Sequence, residues 1–186
     1  MATSNHNCLV WITLHHRSSR SHEGKILKKM LCTSFGLGLL PKAPGTWGSL
    51  LPLVAVLGCG HFQCAPSFTI SVLLLLVLAS SAVTIRLADW YRDYFDKKDP
   101  SQVVSDEVAG QSIALLGMAW IVPPLENPVR WIGLAVLAFV FFRIFDIWKP
   151  GLINRSQRLP SGWGVLTDDI LAGIAACCIV LAVALP

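Results

Sequence analysis

From Ala43 to Ile85 the chain carries no Lys, Arg, Asp or Glu, and the stretch Pro66 to Ile85 alone supplies the roughly 20 residues that a helix needs to cross a bilayer core. Lipid offers no water to satisfy backbone N–H and C=O groups, so a run of this kind can settle only as a helix or in a closed barrel. Val108 to Leu125 and Ile170 to Pro186 are also uncharged, and Trp131 to Phe142 is an apolar core flanked by Arg130 and Arg143, whose long side chains can reach an interface. Five apolar segments emerge, approximately 47–58, 66–88, 107–123, 130–148 and 168–185. The first is short and contains Pro52, which fits a tilted or re-entrant segment as well as a span. The chain is 54% hydrophobic and 14% charged, against roughly 25% charged for a soluble domain. The expected fold is therefore all-α, a polytopic helical membrane protein with four to five apolar helices.

Residues 30–186 read as one helical membrane domain without internal repeats. Residues 1–29 are polar and basic, and their one apolar patch, Cys8 to Leu14, precedes the charges, the reverse of a secretory signal. A disordered extension, or an upstream start in place of Met30, is expected there. The six cysteines lack paired spacing and read as small hydrophobes rather than a disulfide framework. Lys and Arg number six in the N-terminal region, four in 86–106 and four in 143–167, but none in 59–65 and only Arg130 in 124–130. That asymmetry places the first three regions on the cytoplasmic side.

The same side collects the acids. After Glu126 the only acidic residues are Asp146, Asp168 and Asp169, and a second adjacent pair, Asp106-Glu107, opens the 107–123 segment. Ionisable groups at membrane segments are costly and are usually kept for a function. Ser105-Asp106-Glu107 and Thr167-Asp168-Asp169 each resemble a helix start, with a capping hydroxyl and first-turn carboxylates. Capping needs one acceptor, however, and four carboxylates converge. Such a cluster repels itself unless a cation neutralises it, and Mg²⁺ is a hard ion that commonly bridges carboxylates to substrate phosphate. Arg143, Asp146 and Lys149 recur at three-residue spacing on one helical sector, so the bases can hold phosphate oxygens or simply pair with Asp146. Lys42, Thr46 and Ser49 lie in or beside a glycine-rich turn that can bind an anion or merely begin a helix. Asp99 shares a connection with the Asp106-Glu107 pair. No cysteine is followed six residues later by Arg, no Asp-x-Asp occurs, and no His lies beyond His61. Cysteine, aspartyl-phosphate and histidine phosphatase patterns are thus missing, which leaves carboxylate-bound metal.

Four ordered blocks carry a resemblance: Gly36-Leu-Gly…Pro-Gly-Thr-Trp-Gly-Ser-Leu50, Val104-Ser-Asp-Glu-Val-Ala-Gly-Gln111, Phe142-Arg-Ile-Phe-Asp-Ile-Trp-Lys-Pro150 and Gly164-Val-Leu-Thr-Asp-Asp-Ile-Leu-Ala-Gly173. Across nearly all of residues 30–186 the chain resembles bacterial phosphatidylglycerophosphatase A. The resemblance implies a Mg²⁺-dependent lipid phosphatase that converts phosphatidylglycerophosphate to phosphatidylglycerol and phosphate in the bacterial inner membrane, for anionic phospholipid synthesis. It implies a catalytic metal site of Asp106, Glu107, Asp146, Asp168 and Asp169, with Arg143 and Lys149 near the phosphate. The expected partners are a phospholipid and the membrane, not nucleic acid, and oligomeric state is not readable. Two rival readings of the acidic cluster are an ion transporter, which would need charges mid-span, and a phosphatidyltransferase, whose spaced Asp-Gly…Asp…Asp motif is absent.

Overall fold

A computed structural model describes residues 23–121, 127–157, 159–160 and 162–185, and among these every regular element is helical. In order they are α1 (23–32), a 3₁₀ turn (Leu37–Leu39), α2 (Pro44–His61), α3 (Pro66–Arg86), α4 (Ala88–Phe95), α5 (Ser105–Ile121), α6 (Pro128–Trp148), α7 (Leu152–Ser156) and α8 (Gly162–Ala184). Of the expected 1–29 extension, residues 1–22 lie outside the described residues, and 23–29 form the start of α1. Pro occupies the first turn of α2, α3 and α6, where its missing N–H costs nothing and its fixed φ favours helix.

Among the described residues three helices, α3, α6 and α8, are long and apolar enough to cross a membrane, which corrects the expected four to five. α2 has 18 residues, or about 27 Å at 1.5 Å per residue, against a core roughly 30 Å thick, and the described part of α5 has 17. α2 also begins with the polar Gly-Thr-Trp-Gly-Ser stretch and runs as helix through Pro52. α5 is the central helix, packed by α2, α3, α6 and α8, and its Ala109, Ala114, Leu115, Met118 and Ala119 are buried. Trp131 is buried against Gly60 of α2, whereas Trp148 is exposed at the end of α6.

The helix ends sort into two sets. Thr84 near the end of α3 and Ser105 at the start of α5 share a hydrogen bond of 2.7 Å between their hydroxyls. Lys149, just past α6, reaches Asp168 near the start of α8. At the far end, Arg130 near the start of α6 donates to the carbonyl of Ala184 at the end of α8, at 2.7 Å. The start of α5, the end of α6 and the start of α8 therefore share one end of the bundle.

The tightest crossing joins α5 to α8. A Cβ on Gly173 would collide with the backbone of Gly110, and one on Gly110 would lie 2.5 Å from the carbonyl oxygen of Asp169. Backbone cannot rotate out of the way as a side chain can. Gly173→Ala is accordingly expected to destabilise the fold by about 1–3 kcal/mol and to lower the unfolding midpoint in detergent. An unchanged midpoint would show that the crossing tolerates bulk.

Candidate active site

All five sequence-predicted carboxylates line one cavity of about 210 Å³, together with Asp99, Val103, Val165 and Lys149. Asp106 and Glu107 are in the first turn of α5, Asp146 is in the last turn of α6, and Asp168 and Asp169 are on α8. The two on α8 do not cap it, contrary to the helix-start reading of Thr167-Asp168-Asp169. Helix begins at Gly162, because Gly162 and Gly164 allow the first turn of α8 to sit against the Thr84 carbonyl and those of Gln157 and Leu159. Ser161 lies outside the described residues, and Gly162-Trp163-Gly164 forms the first turn of α8.

The five acids divide by their partners. Asp106, Glu107 and Asp169 each present an oxygen within 4.8 Å of the others, the one such metal-compatible group among the described residues. Asp106 and Asp169 are buried and Glu107 is partly so, and Asp106 Oδ1 and Glu107 Oε2 have no hydrogen-bond partner. Buried acceptors are normally satisfied, so these oxygens mark a place built for something else. A cluster of hard, anionic, unpartnered oxygens fits Mg²⁺. Asp146 and Asp168 are instead paired. Arg143 Nη1 donates to Asp146 Oδ2 at 2.5 Å, Lys149 Nζ lies 3.6 Å from Asp146 Oδ1, and Lys149 and Gln157 both donate to Asp168 Oδ2, the latter at 2.8 Å.

The two bases occupy different places. Lys149 lines the cavity, whereas Arg143 stands behind Asp146, with Nη1 also 3.4 Å from Ser49 Oγ. Burial alone would lower the Lys149 pKa, but its hydrogen bond to Asp168 and the charges of Asp168, Asp169 and Asp146 outweigh that and raise it. The ammonium is thus charged throughout the physiological range. Its backbone sits at φ +47°, the left-handed cap from which Pro150-Gly151 turn the chain out of α6.

The glycine-rich turn proves to be a packing device for the site. A Cβ on Gly45 would strike the Glu107 carboxylate and lie 3.2 Å from Arg143 Nη1, while one on Gly48 would lie 2.7 Å from Val104 Cβ. Ser49 donates to the Gly45 carbonyl at 2.8 Å. Lys42 is exposed, its carbonyl accepting from the Trp47 indole, and Thr46 is half-buried.

Three contributors escaped sequence reasoning. Gln157 sits in the polar run Asn154-Arg155-Ser156-Gln157-Arg158 between α6 and α8, with no local pattern to tie it to Asp168. Cys32 and Tyr91 pack with Val103 in a small apolar cluster behind Asp106. Burial, reinforced by the Asp106 charge, pushes the Cys32 thiol up to about 12, so it serves as a neutral packing group. A second cavity of about 170 Å³, lined by Lys98, Gln157 and Gly164, shares Asp99, Val165 and Asp168 with the first.

Residues 30–184 match the family profile described as Phosphatidylglycerophosphatase A. A Bacteroides thetaiotaomicron protein provisionally named as a phosphatidylinositol-3-phosphatase is 36% identical over 152 residues, 80% of this chain and 87% of the relative. The phosphatidylglycerophosphatase A of Haemophilus influenzae is 34% identical over 83% of this chain and 86% of its own length. That of Escherichia coli K12 is 30% identical, covering 78% and 76%. No solved structure matches the chain.

Proposed function

The chain belongs to the phosphatidylglycerophosphatase A family, and from that premise we propose that it is a membrane phosphatase that hydrolyses the terminal phosphomonoester of phosphatidylglycerophosphate to phosphatidylglycerol and phosphate. The observation that carries this reading is the group of three carboxylates, with unpartnered buried oxygens, in a cavity that also holds a lysine. Asp106, Glu107 and Asp169 would hold Mg²⁺, which when bound supplies a Lewis acid toward phosphoryl oxygen. Lys149 has three N–H donors. Asp168 accepts from one of them and Asp146 lies 3.6 Å away as an ion-pair neighbour, so a donor is available to a phosphate oxygen, where developing charge is stabilised by a cation already in position. Arg143 holds Asp146 in place and offsets the charge of Glu107 beside it. The adjoining cavity gives room for the glycerol portion of the headgroup. With the site at one end of three helices suited to crossing a bilayer, a lipid phosphate can reach it without leaving the interface. We assign that end to the cytoplasmic face of the bacterial inner membrane, on the Lys and Arg asymmetry, and the reaction to anionic phospholipid synthesis.

The Bacteroides relative favours a second substrate, an inositol lipid carrying a phosphomonoester. Phosphate release by the purified protein, with each lipid and with Mg²⁺ or EDTA, separates the readings. Turnover of phosphatidylglycerophosphate is expected with Mg²⁺ and to fall at least ~10²-fold in EDTA. Preference for the inositol lipid would transfer the assignment, and full activity in EDTA would remove the metal.

A further inference from the structure

The helix α1 is amphipathic in the opposite sense from a helix packed on a water-soluble body. Cys32 is buried against α4, and Lys28 and Lys29 flank it, their ammonium groups 5.9 Å from the ring centroids of Trp90 and Tyr94 respectively. At 100° per residue, Ile26, Leu27, Met30 and Leu31 fall on the face turned away from that contact. They are 48%, 60%, 44% and 37% exposed, and Phe35, just beyond, is 74% exposed. Folding thus leaves an apolar row outward and leans two lysines on aromatic rings.

The position of α1 says what should cover this row. Its last turn is fixed beside the start of α5, where Val104 N–H donates to the Cys32 carbonyl at 3.0 Å. That is the site end of the bundle, the level at which a bilayer interface would cut the three candidate spans. We propose that α1 is an interfacial helix that docks on an anionic phospholipid surface. Its apolar row lies at the acyl boundary, and Lys25, Lys28 and Lys29 reach headgroup phosphates. Charge complementarity selects this occupant, since Glu23 is the one acid on the helix. Trp90 and Tyr94 then sit at headgroup depth, where amphipathic rings collect. The inference rests on the membrane placement proposed above and is independent of the substrate.

Hydrogen exchange of the amides of residues 24–35 tests it, using full-length protein in nanodiscs of phosphatidylcholine alone or of an equal mixture with phosphatidylserine. Exchange is expected to be at least ~10-fold slower in the mixed discs, and this difference should vanish in K25Q/K28Q/K29Q. Equal rates in the two lipids, or slowing that persists in the triple variant, would overturn the proposal. So would protection that is lost on deleting residues 1–22, or that requires two copies per disc, because the cover would then be the chain's own N-terminus or a second molecule. Alkaline extraction of the protein from liposomes would remove the membrane placement itself. Retention with composition-independent α1 exchange would sink only the docking. Phosphate release by the triple variant in detergent should equal that of the parent, since the three lysines line neither cavity.

Discussion

Asp169→Asn is expected to lower phosphatase turnover at least ~10³-fold, a loss of about 4 kcal/mol in transition-state stabilisation, while leaving the protein folded in the membrane. Asp169 is the α8 member of the three-carboxylate group, and the amide keeps its shape but loses a negative oxygen. Asp106→Asn should behave in the same way. Stability should move in the opposite direction from activity. With no cation bound, three carboxylates converge with Arg143 beside Glu107 as their nearby base, so replacing one relieves repulsion, and the unfolding midpoint in EDTA should equal or exceed that of the parent. Added Mg²⁺ should stabilise the parent by mass action and these variants much less. Asp146→Asn provides the contrast, because Asp146 is already paired with Arg143 and Lys149. It should lower turnover while retaining most of the Mg²⁺-induced stabilisation. Near-normal turnover in both Asp106→Asn and Asp169→Asn would refute the site.

The convergence of these acids is legible in the sequence, and for a specific reason. Charges are so rare in an apolar chain that each one is informative, and five acids at segment ends on one topological side could meet only at one end of the bundle. Segment identity was equally readable, since apolar runs between polar connections map directly onto α2, α3, α5, α6 and α8. Span number was not. Hydropathy does not distinguish a helix surrounded by lipid from one surrounded by other helices, and α5 is the latter.

Within the site, residue type was legible and partnership was not. Asp168 and Asp169 are neighbours in sequence, but about 100° of helical rotation sends one to Lys149 and Gln157 and the other to Asp106 and Glu107. A pair of letters cannot show that division. The letters of the Gly-rich block suit an anion turn and a helix entry equally, and they do not show that Gly45 and Gly48 leave space for Glu107, Arg143 and Val104. The start of α8 was missed because Gly162 and Gly164 weaken local helix propensity, and only packing on Thr84 and Gln157 restores the helix.

Lys149→Met should produce the largest loss of stability among single substitutions at the site, about 3–5 kcal/mol, because it leaves a buried carboxylate without its cation. Asp168 is 2% exposed and would retain only Gln157, while Asp146 would retain Arg143. Much of that cost belongs to the stranded acid rather than to the lost contact. The double variant Lys149→Met/Asp168→Asn should therefore recover most of the stability, with a coupling energy of about 1–3 kcal/mol in the cycle. Turnover should not recover, because the donor available to phosphate is still missing. Lys149→Arg separates charge from shape. The guanidinium keeps the positive charge but is larger and planar, so it does not direct its N–H groups as the Lys149 ammonium does. It should restore part of the stability and little of the activity. The pH dependence follows from the raised Lys149 pKa, since a cation favoured in the folded state stabilises fully below its unfolded pKa and loses that contribution as pH climbs through the folded value. The difference in unfolding midpoint between parent and Lys149→Met should accordingly be flat from pH 7 to 9 and narrow only in strong alkali. A difference that disappears near neutrality would mean that Lys149 is not the ion that holds Asp168.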